Sequence, residues 1–258
     1  MIGIEHRLQT FLDPLDQRSI IVDTSAGLAL GALPGLENYM LSVQAILPHA
    51  NGIVCSPGQI TKLTHLQKQD AGLLVRMDWN NTLRPDSFYL PVSIPNRIAI
   101  LTPQDALDLG AVGMATTFLL GYDEALEAAC LRSTVQLAIE GKAFGLPLLV
   151  EIQSTGPRIS LPAKAVELGV SYALEGGADV IVLPHPGSGS LRTISQFVSV
   201  PWLVKPTSIE SAQDNLAELL DLGGNGLWLD HGLFTQPDPV WVLKDLMERI
   251  HPPVPIGK

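Results

Sequence analysis

The sequence predicts an α/β fold in which eight parallel strands close into a (β/α)8 TIM barrel. Its 258 residues match the size of one such barrel, and 46% of them are hydrophobic, which provides a large core. Short apolar runs alternate with helix-like segments eight times along the chain. These runs show little polar–apolar alternation, as expected of strands covered on both faces, and the intervening helices imply parallel pairing.

Eight short apolar segments are the predicted strands, and each is followed by a predicted helix. The strands cover residues 19–23, 52–55, 72–76, 111–117, 147–153, 179–183, 201–204 and 226–229. The helices cover residues 34–47, 59–67, 102–109, 123–144, 161–174, 190–198, 208–222 and 238–250. Thr102 and Ser208 are the expected N-caps of two helices, and Pro103 occupies a first helical position.

The segment 78–96 departs from this regular pattern. It is polar, contains Pro85, Pro91 and Pro95, and is long for a connection without structure. We therefore expect a lid or a rim element there. An open doubly wound sheet is the alternative architecture. Eight units without an inserted domain favour closure, so we expect one barrel domain over residues 1–258.

The composition excludes several classes of partner. The formal net charge is −10 and no run of basic residues occurs, which argues against nucleic acid and against an anionic membrane surface. No segment reaches the roughly 18 apolar residues of a membrane span. Charged residues make up only 16% of the chain, so we expect outer helices to bury area between subunits of a homo-oligomer.

The two cysteines, Cys55 and Cys130, lie far apart and show no metal-ligand spacing. A reduced compartment fits this pattern, and we expect a cytoplasmic protein. We interpret Cys55 as a small buried side chain rather than a nucleophile.

Asp23 and Glu151 are too few and too scattered to predict a metal site, and no cofactor is expected.

In barrels of this type, the residues directly after each strand face the active site. Lys205 follows the seventh predicted strand. The other lysines fall on the predicted outer helices (Lys62, Lys68, Lys142, Lys164, Lys244) or at the end of the chain (Lys258). Lys205 is therefore the lysine expected at the mouth of the barrel.

Lys205 has three interpretations. A neutral, desolvated lysine attacks a carbonyl to form a Schiff base, and neutrality near pH 7 requires its pKa to fall by about 3 units, at roughly 4 kcal/mol. Asp230 and Glu151, if close, favour the ammonium form. A paired Lys205 then holds an anion or carboxylate, and an unpaired one is a nucleophile. A structural ion pair is the third interpretation.

Three further residues are candidate catalytic groups. His231 belongs to an Asp-His dipeptide directly after the eighth strand, where it acts as a general acid or base or caps the loop. Asp23 and Glu151 end the first and fifth strands. Each moves protons or forms an ion pair with Lys205 or Arg76, since a buried carboxylate is costly without a partner.

The candidate substrate-binding residues are other polar positions after the strands, together with the Gly-Ser loop 186–190 that opens a helix. Backbone N–H groups of such a loop hold phosphate in other proteins. The set comprises Ser25, Arg76, Gln153, His185, Gly187, Ser188 and Asp230.

Framework segments spread over nearly the whole chain form a recognisable order. They are 21–23 (IVD) with 27–28 (GL) and 35–37 (GLE), 147–149 (PLL), 177–179 (GAD), Phe234 with 238–240 (DPV), and 250–251 (IH). This order resembles the archaeal-type (DhnA-type) class I fructose-bisphosphate aldolase family. The resemblance implies a TIM barrel, aldolase activity through a Schiff-base lysine, and a small carbonyl or sugar-phosphate substrate.

The positions that carry catalysis in that family differ here. The resemblance places the family's strand-one Asp on Ser25, with Asp23 two residues away on the same strand face. It places the strand-five Tyr on about Gln153 and the Schiff-base lysine of strand six on about Val182, in a segment without lysine. The phosphate element of strand eight corresponds to residues 230–232, which read Asp-His-Gly.

Three functions follow from these observations. The first is an aldolase-like lyase with altered chemistry, in which Lys205 binds or attacks a small carbonyl substrate, Asp23 or Glu151 moves protons and His231 assists. The second is a catalytically inactive barrel that binds a ligand or acts as a scaffold. The third is an isomerase or epimerase that uses Asp230 and His231 without a covalent step.

Overall fold

The computed structural model describes residues 2–65 and 71–251. Eight parallel strands form a closed barrel, and helices connect consecutive strands on the outside. The barrel strands are β1 (Ser19–Asp23), β2 (Gly52–Cys55), β3 (Gly72–Arg76), β6 (Gly113–Leu120), β7 (Leu148–Ser154), β8 (Val180–Pro184), β9 (Trp202–Lys205) and β10 (Gly226–Leu229). Around the barrel they lie in the order β1-β10-β9-β8-β7-β6-β3-β2. The predicted fold class is confirmed.

In the described residues, one helix precedes the first strand, two follow β1 and one follows each of the other seven barrel strands. They are α1 (Ile2–Leu8), α2 (Gly27–Leu30), α3 (Tyr39–Ile46), α4 (Pro57–Leu63), α5 (Pro103–Asp108), α6 (Glu124–Phe144), α7 (Pro162–Glu175), α8 (Ser188–Ser195), α9 (Ile209–Asp221) and α10 (Pro239–Ile250). Short 3-10 helices cover Leu47–His49 and His231–Thr235. Among the described helices, none is both long enough and apolar enough to cross a bilayer.

Side-chain alternation along the strands separates two apolar clusters. One set of strand residues faces the helices, for example Ile20, Val22 and Ile181. The other set points into the barrel and forms a separate interior cluster: Ile21, Val54, Leu74, Ala115, Leu149, Val180, Val182, Leu203 and Trp228. Because side chains on a strand alternate faces, the residue two positions further along each strand also points inward, above these apolar layers.

The floor of the barrel is closed by a segment that the sequence analysis did not assign. Phe11 and Leu12, which follow α1, are 1% exposed and belong to the interior cluster. The Ser19 hydroxyl donates to the Phe11 carbonyl at 2.5 Å and fixes this segment under β1. The barrel is therefore a packed core with its open end on the opposite side, where the strands end.

Most predicted boundaries agree with the structure to within a few residues. Thr102 and Ser208 cap α5 and α9 as expected, each with a reciprocal capping box. β6 continues to Leu120 rather than ending at Thr117. The predicted helix end at Gln67 lies outside the described residues, as do Lys68 and Lys258.

The segment 78–96 begins with a strand that the sequence analysis did not predict. β4 (Asp78–Asn80) pairs antiparallel with β5 (Arg97–Ala99), which brings the two ends of the segment together. The buried Asp78 carboxylate accepts a hydrogen bond from Arg97 at 3.0 Å and another from the Thr117 backbone at 3.0 Å. The start of the segment is therefore fixed to the barrel as part of its rim.

Replacing Gly226 with alanine tests the closure of the barrel between β1 and β10. Gly226 has φ +134°, and a Cβ atom there would lie 1.9 Å from the Ser19 carbonyl oxygen of the paired strand. We expect Gly226→Ala to lower the free energy of unfolding by about 3 kcal/mol or more, measured by urea denaturation. Gly58→Ala in α4, where a Cβ meets open space, is the control and should stay within about 1 kcal/mol of the wild type. Equal stability of the two variants would contradict the described register.

Candidate active site

A charged layer lies directly above the apolar interior, at the open end of the barrel. Each member lies two residues beyond an interior apolar residue of its strand. The members are Asp23, Arg76, Thr117, Glu151, Lys205 and Asp230. They line a small chamber of about 60 Å³. A chamber of this size accommodates the reacting group of a substrate and little more.

Arg76 is the centre of this layer. Its Nη2 donates to Asp23 Oδ2 at 2.5 Å and to Glu151 Oε2 at 2.9 Å. Its Nε donates to Ser25 Oγ at 3.1 Å and its Nη1 to Thr117 Oγ1 at 3.2 Å. The guanidinium thus connects three strands and the loop after β1. Burial opposes its charge, but the neighbouring carboxylates of Asp23 and Glu151 raise the pKa of Arg76 above its ordinary value.

Lys205 and Glu151 form the second ion pair of the layer. Lys205 Nζ donates to Glu151 Oε1 at 2.9 Å, so Glu151 binds one cation on each oxygen. The Lys205 side chain is 24% exposed, whereas that of Glu151 is 3% exposed. Burial acts to raise the pKa of Glu151, yet the charges of Lys205 and Arg76 outweigh it and lower the value to about 2.

The ion pair with Glu151 also determines the charge of the Lys205 amine. Burial acts to lower the pKa of Lys205, but the charge and hydrogen bond of Glu151, with the charges of Asp230 and Asp23, raise it above its ordinary value. Lys205 is therefore an ammonium ion at neutral pH in the unliganded protein. This is the paired state that the sequence analysis considered, rather than the free amine.

The position of Lys205 on β9 explains why it reaches the chamber. Leu203 belongs to the interior cluster and pairs in register with Val182 of β8. Lys205 lies two residues beyond Leu203, on the same face of β9, and is level with Pro184. Its amine thus enters the chamber from the strand next to Val182, the position to which the resemblance assigns the family's lysine.

Asp230 and His231 complete the wall beside Lys205. Asp230 Oδ1 accepts the backbone N–H of Gly232 at 2.8 Å. His231 lines the chamber, and its Nδ1 is buried without a hydrogen-bond partner among the described residues. The imidazole ring of His231 thus forms part of the chamber wall beside Lys205.

β4 and the segment after it form the outer wall. Trp79, Asn80 and Leu83 line the chamber, and Trp79 Nε1 donates to the Leu28 carbonyl at 3.0 Å. Arg84 lies over the Trp79 ring at 5.8 Å and donates to the Ala29 carbonyl. These contacts hold β4 and the following segment against α2.

A larger basin of about 820 Å³ adjoins the chamber. It lies between the segment after β4 and the ends of β7 and β8, and Leu83, Gln153 and Lys205 line both spaces. Among the described residues, Lys205 is the only lysine that lines either cavity. Its amine therefore lies where a small reacting group and the rest of a larger substrate meet.

The structure brings most of the predicted site residues together. The chamber is lined by all four candidate catalytic residues and by four of the candidate binding residues: Lys205, Asp23, Glu151, His231, Ser25, Arg76, Gln153 and Asp230. The Ser25 hydroxyl donates to Asp23 Oδ1 at 2.6 Å, so these two residues act as one unit beside Arg76.

The other three candidates, His185, Gly187 and Ser188, are not among the residues that line the chamber. His185 Nδ1 accepts the Gly187 backbone N–H at 3.2 Å, and Ser188 Oγ donates to Glu218 of α9 at 2.8 Å. These bonds hold the loop over the outer helices. Trp79 and Asn80, which follow the third predicted strand, lie on β4, whose pairing depends on residues 97–99. Leu83, which sequence reasoning did not select, comes from the segment after β4.

Two other reactive or metal-binding features lie outside this layer. Cys55 is fully buried, as expected of a small core side chain, and burial raises the pKa of its thiol to about 12. Within the described residues, one group of potential metal ligands has suitable spacing: Asp13, Asp16 and His251. It lies at the opposite end of the barrel, before β1 and after α10.

Comparisons with known proteins bear on the family and the fold of the chain. The sequence model of the family described as "DeoC/LacD family aldolase" matches residues 14–200. An uncharacterized aldolase of Saccharolobus solfataricus is 26% identical over 100% of this chain and 98% of its own. A 2-amino-3,7-dideoxy-D-threo-hept-6-ulosonate synthase of Halobacterium salinarum is 25% identical over 87% of this chain and 83% of its own.

Two more distant similarities span most of the chain. A 3-hydroxy-5-phosphonooxypentane-2,4-dione thiolase of Yersinia enterocolitica is 21% identical, over 96% of this chain and 82% of its own. A crystal structure of an archaeal fructose 1,6-bisphosphate aldolase superposes with a TM-score of 0.78 at 18% identity. That alignment covers 96% of this chain and 98% of the other. At this identity the structural likeness supports the fold.

Removing the central guanidinium tests the charged layer. Arg76→Met leaves Asp23 and Glu151 buried without their shared cation, so we expect the free energy of unfolding to fall by about 3–5 kcal/mol. Urea denaturation at pH 7 measures it. Arg158→Met, which breaks the exposed pair with Glu124, is the control and should leave the urea midpoint unchanged. A wild-type midpoint for Arg76→Met would show that the layer is not held by this residue.

Proposed function

The chain belongs to the DeoC/LacD aldolase family, and we propose that Lys205 is its Schiff-base lysine, relocated to β9. The protein is an aldolase-like lyase. In the proposed reaction it makes or breaks a carbon–carbon bond next to the carbonyl group of a small substrate. The observation that carries the proposal is the position of the Lys205 amine, at the junction between the small chamber and the larger basin.

The covalent step begins with loss of a proton from Lys205 to solvent in the basin. The nitrogen lone pair then forms a bond to the carbonyl carbon, and the π electrons move to oxygen, which takes up a proton. The nitrogen then gives up one proton, the hydroxyl group is protonated, and its loss as water leaves an iminium ion on Lys205. His231, which lines the chamber beside Lys205, is proposed to assist by relaying these protons after the addition step.

Cleavage uses the iminium as an electron sink. A base removes the proton of the substrate's β-hydroxyl group, the bond between the α and β carbons breaks, and an aldehyde leaves. The bonding electrons move towards the iminium nitrogen and form an enamine. Protonation at carbon and attack by water then regenerate the lysine. Glu151 is the proposed base because its Oε1 faces the nitrogen. As the electrons neutralise the iminium, one of the two positive charges that keep the pKa of Glu151 low disappears, so the carboxylate can accept the proton.

The free energy needed to form a neutral lysine is small compared with the barrier reduction that enzymes achieve. Bringing an amine from a pKa above 10.5 to its neutral form near pH 7.5 costs at least about 4 kcal/mol, at ~1.36 kcal/mol per unit. Enzymes lower barriers by about 8–23 kcal/mol. The ion pair with Glu151 therefore slows the reaction at neutral pH without preventing it.

A non-covalent role for the ammonium is the second candidate, and the pairing with Glu151 is the observation in its favour. The number of charged side chains at the chamber argues against this non-covalent role. The chamber is lined by four carboxylates (Asp23, Asp78, Glu151, Asp230) and two cations (Arg76, Lys205). Arg97 compensates Asp78, so no surplus positive charge remains to hold an anion or to stabilise an enolate.

The remaining interpretations rest on the same chamber. An inactive scaffold is consistent with the ion pairs of Lys205, whereas the open chamber and basin favour a bound substrate. Isomerisation through Asp230 and His231 is consistent with their position in the wall.

A cytoplasmic homo-oligomer remains our expectation, and exposed apolar side chains on α6 and α7 support it: Leu131, Ile139 and Leu168.

Borohydride trapping tests the covalent role. Treating the protein with a small ketone or aldehyde, such as dihydroxyacetone or glyceraldehyde, and sodium borohydride should add the reduced substrate to Lys205, as located by peptide mass spectrometry. Lys205→Arg keeps the charge but forms no imine under these conditions, so the adduct should disappear. Lys164→Arg, which alters an exposed lysine on α7, should leave it unchanged. An adduct that persists in Lys205→Arg would contradict the proposal.

The pH dependence distinguishes the covalent role from the ammonium role. Because the pKa of Lys205 is raised, its neutral fraction should increase about tenfold per pH unit from pH 7 to beyond pH 10. Addition of the neutral amine is the proposed limiting step, so we expect kcat/KM for carbon–carbon cleavage to rise with the same slope and without a plateau below pH 10. An ammonium role predicts a flat profile over this range, followed by a fall as Lys205 loses its proton.

A further inference from the structure

A second cleft opens beside the chamber, between the loops after β9 and β10. Its volume is about 220 Å³, and it lies along residues 206–210 and 229–236. Asp230 lines both this cleft and the chamber. A substrate with its carbonyl group at Lys205 therefore passes Asp230 if its far end enters the cleft.

In many (β/α)8 barrels, the loops after the seventh and eighth strands bind a substrate phosphate through free backbone N–H groups. Here the chain's own side chains occupy such groups. The Gly232 N–H donates to Asp230 Oδ1 at 2.8 Å. At the start of α9, the Ser211 N–H donates to Ser208 Oγ at 3.1 Å, and the Ser208 N–H donates to Ser211 Oγ at 3.0 Å.

The charges of the cleft also oppose an anion. Glu210 and Asp230 line it, and no lysine or arginine is among its described lining residues. Glu210 lies in the first turn of α9, where its backbone N–H and the Ser208 hydroxyl lower the pKa of its carboxyl group. Its negative charge thus occupies the end of the helix that otherwise favours a ligand anion.

From this juxtaposition we propose that the cleft is the subsite for the far end of the substrate and takes a hydroxyl- or amino-bearing, non-anionic group. Carboxylates of Asp230 and Glu210 accept hydrogen bonds from such donors. A phosphate would lose its N–H partner to Asp230 and would face two negative charges. The proposal rests on the proposed function for the identity of the cleft as a substrate subsite, and it excludes phosphate from this end of the substrate.

Two small probes of opposite charge test the subsite without turnover. Inorganic phosphate and ethanolamine are titrated separately into the wild type, Asp230→Asn and Asp230→Ala, and binding is followed by NMR. Asp230→Asn removes the charge and keeps an acceptor for Gly232, whereas Asp230→Ala also frees the N–H. We expect phosphate affinity to increase from wild type to Asn to Ala, by about tenfold in total, and ethanolamine affinity to fall about tenfold.

Asp221→Asn is the matched control, because Asp221 is exposed at the other end of α9. It removes the same charge and should change neither affinity. Phosphate binding to the wild type as tight as to Asp230→Ala would overturn the subsite proposal, as would ethanolamine binding that is unaffected by either variant. Neither probe has a carbonyl group, so the result stands apart from trapping at Lys205. Failure of trapping alone would leave the cleft as a non-anionic binding site without the proposed reaction.

Discussion

Glu151 binds two cations above an apolar barrel interior, and the geometry of the site depends on this arrangement. One oxygen accepts from Arg76 and the other from Lys205. Side chains with formal charge are costly to bury unless each is paired and hydrogen-bonded. The layer meets this condition, because Asp23 is the second anion at Arg76. Once Arg76 and Glu151 are fixed, the Lys205 amine has a defined direction at the border of the chamber.

The barrel delivers these side chains through strand alternation. Leu74, Leu149 and Leu203 fill the interior, and the residues two positions later are Arg76, Glu151 and Lys205. A slip of one residue in any of these strands would exchange its inner and outer faces. The apolar core therefore specifies the site indirectly, because the register that buries the leucines also directs the charged residues into the mouth.

Much of the site was accessible from the sequence for this reason. Lys205, Glu151 and Asp23 are charged residues at the ends of apolar runs, and the rule that strand ends face the site requires no long-range information. The sequence suggested possible ion-pair partners for these charges but left open which of them are in contact. Whether Lys205 is paired depends on the distance between β7 and β9, which the sequence does not encode locally.

Other features of the structure also depend on contacts that the sequence does not encode locally. His185, Gly187 and Ser188 follow a strand as Lys205 does, but a bond to Glu218 on a different helix holds their loop outward. β4 has only three residues and is defined by pairing with residues 97–99, across a long irregular segment. The floor residues Phe11 and Leu12 precede the first predicted strand. In each case, contacts between distant parts of the chain decide the placement.

The direct test of the account is a crystal structure of the protein after reduction with borohydride in the presence of a small ketone. The account predicts continuous density from Lys205 Nζ into the chamber, with Arg76 still bound to both Asp23 and Glu151. Density at a different residue, or an unmodified Lys205 directed towards solvent, would contradict the assignment of this amine as the reactive group.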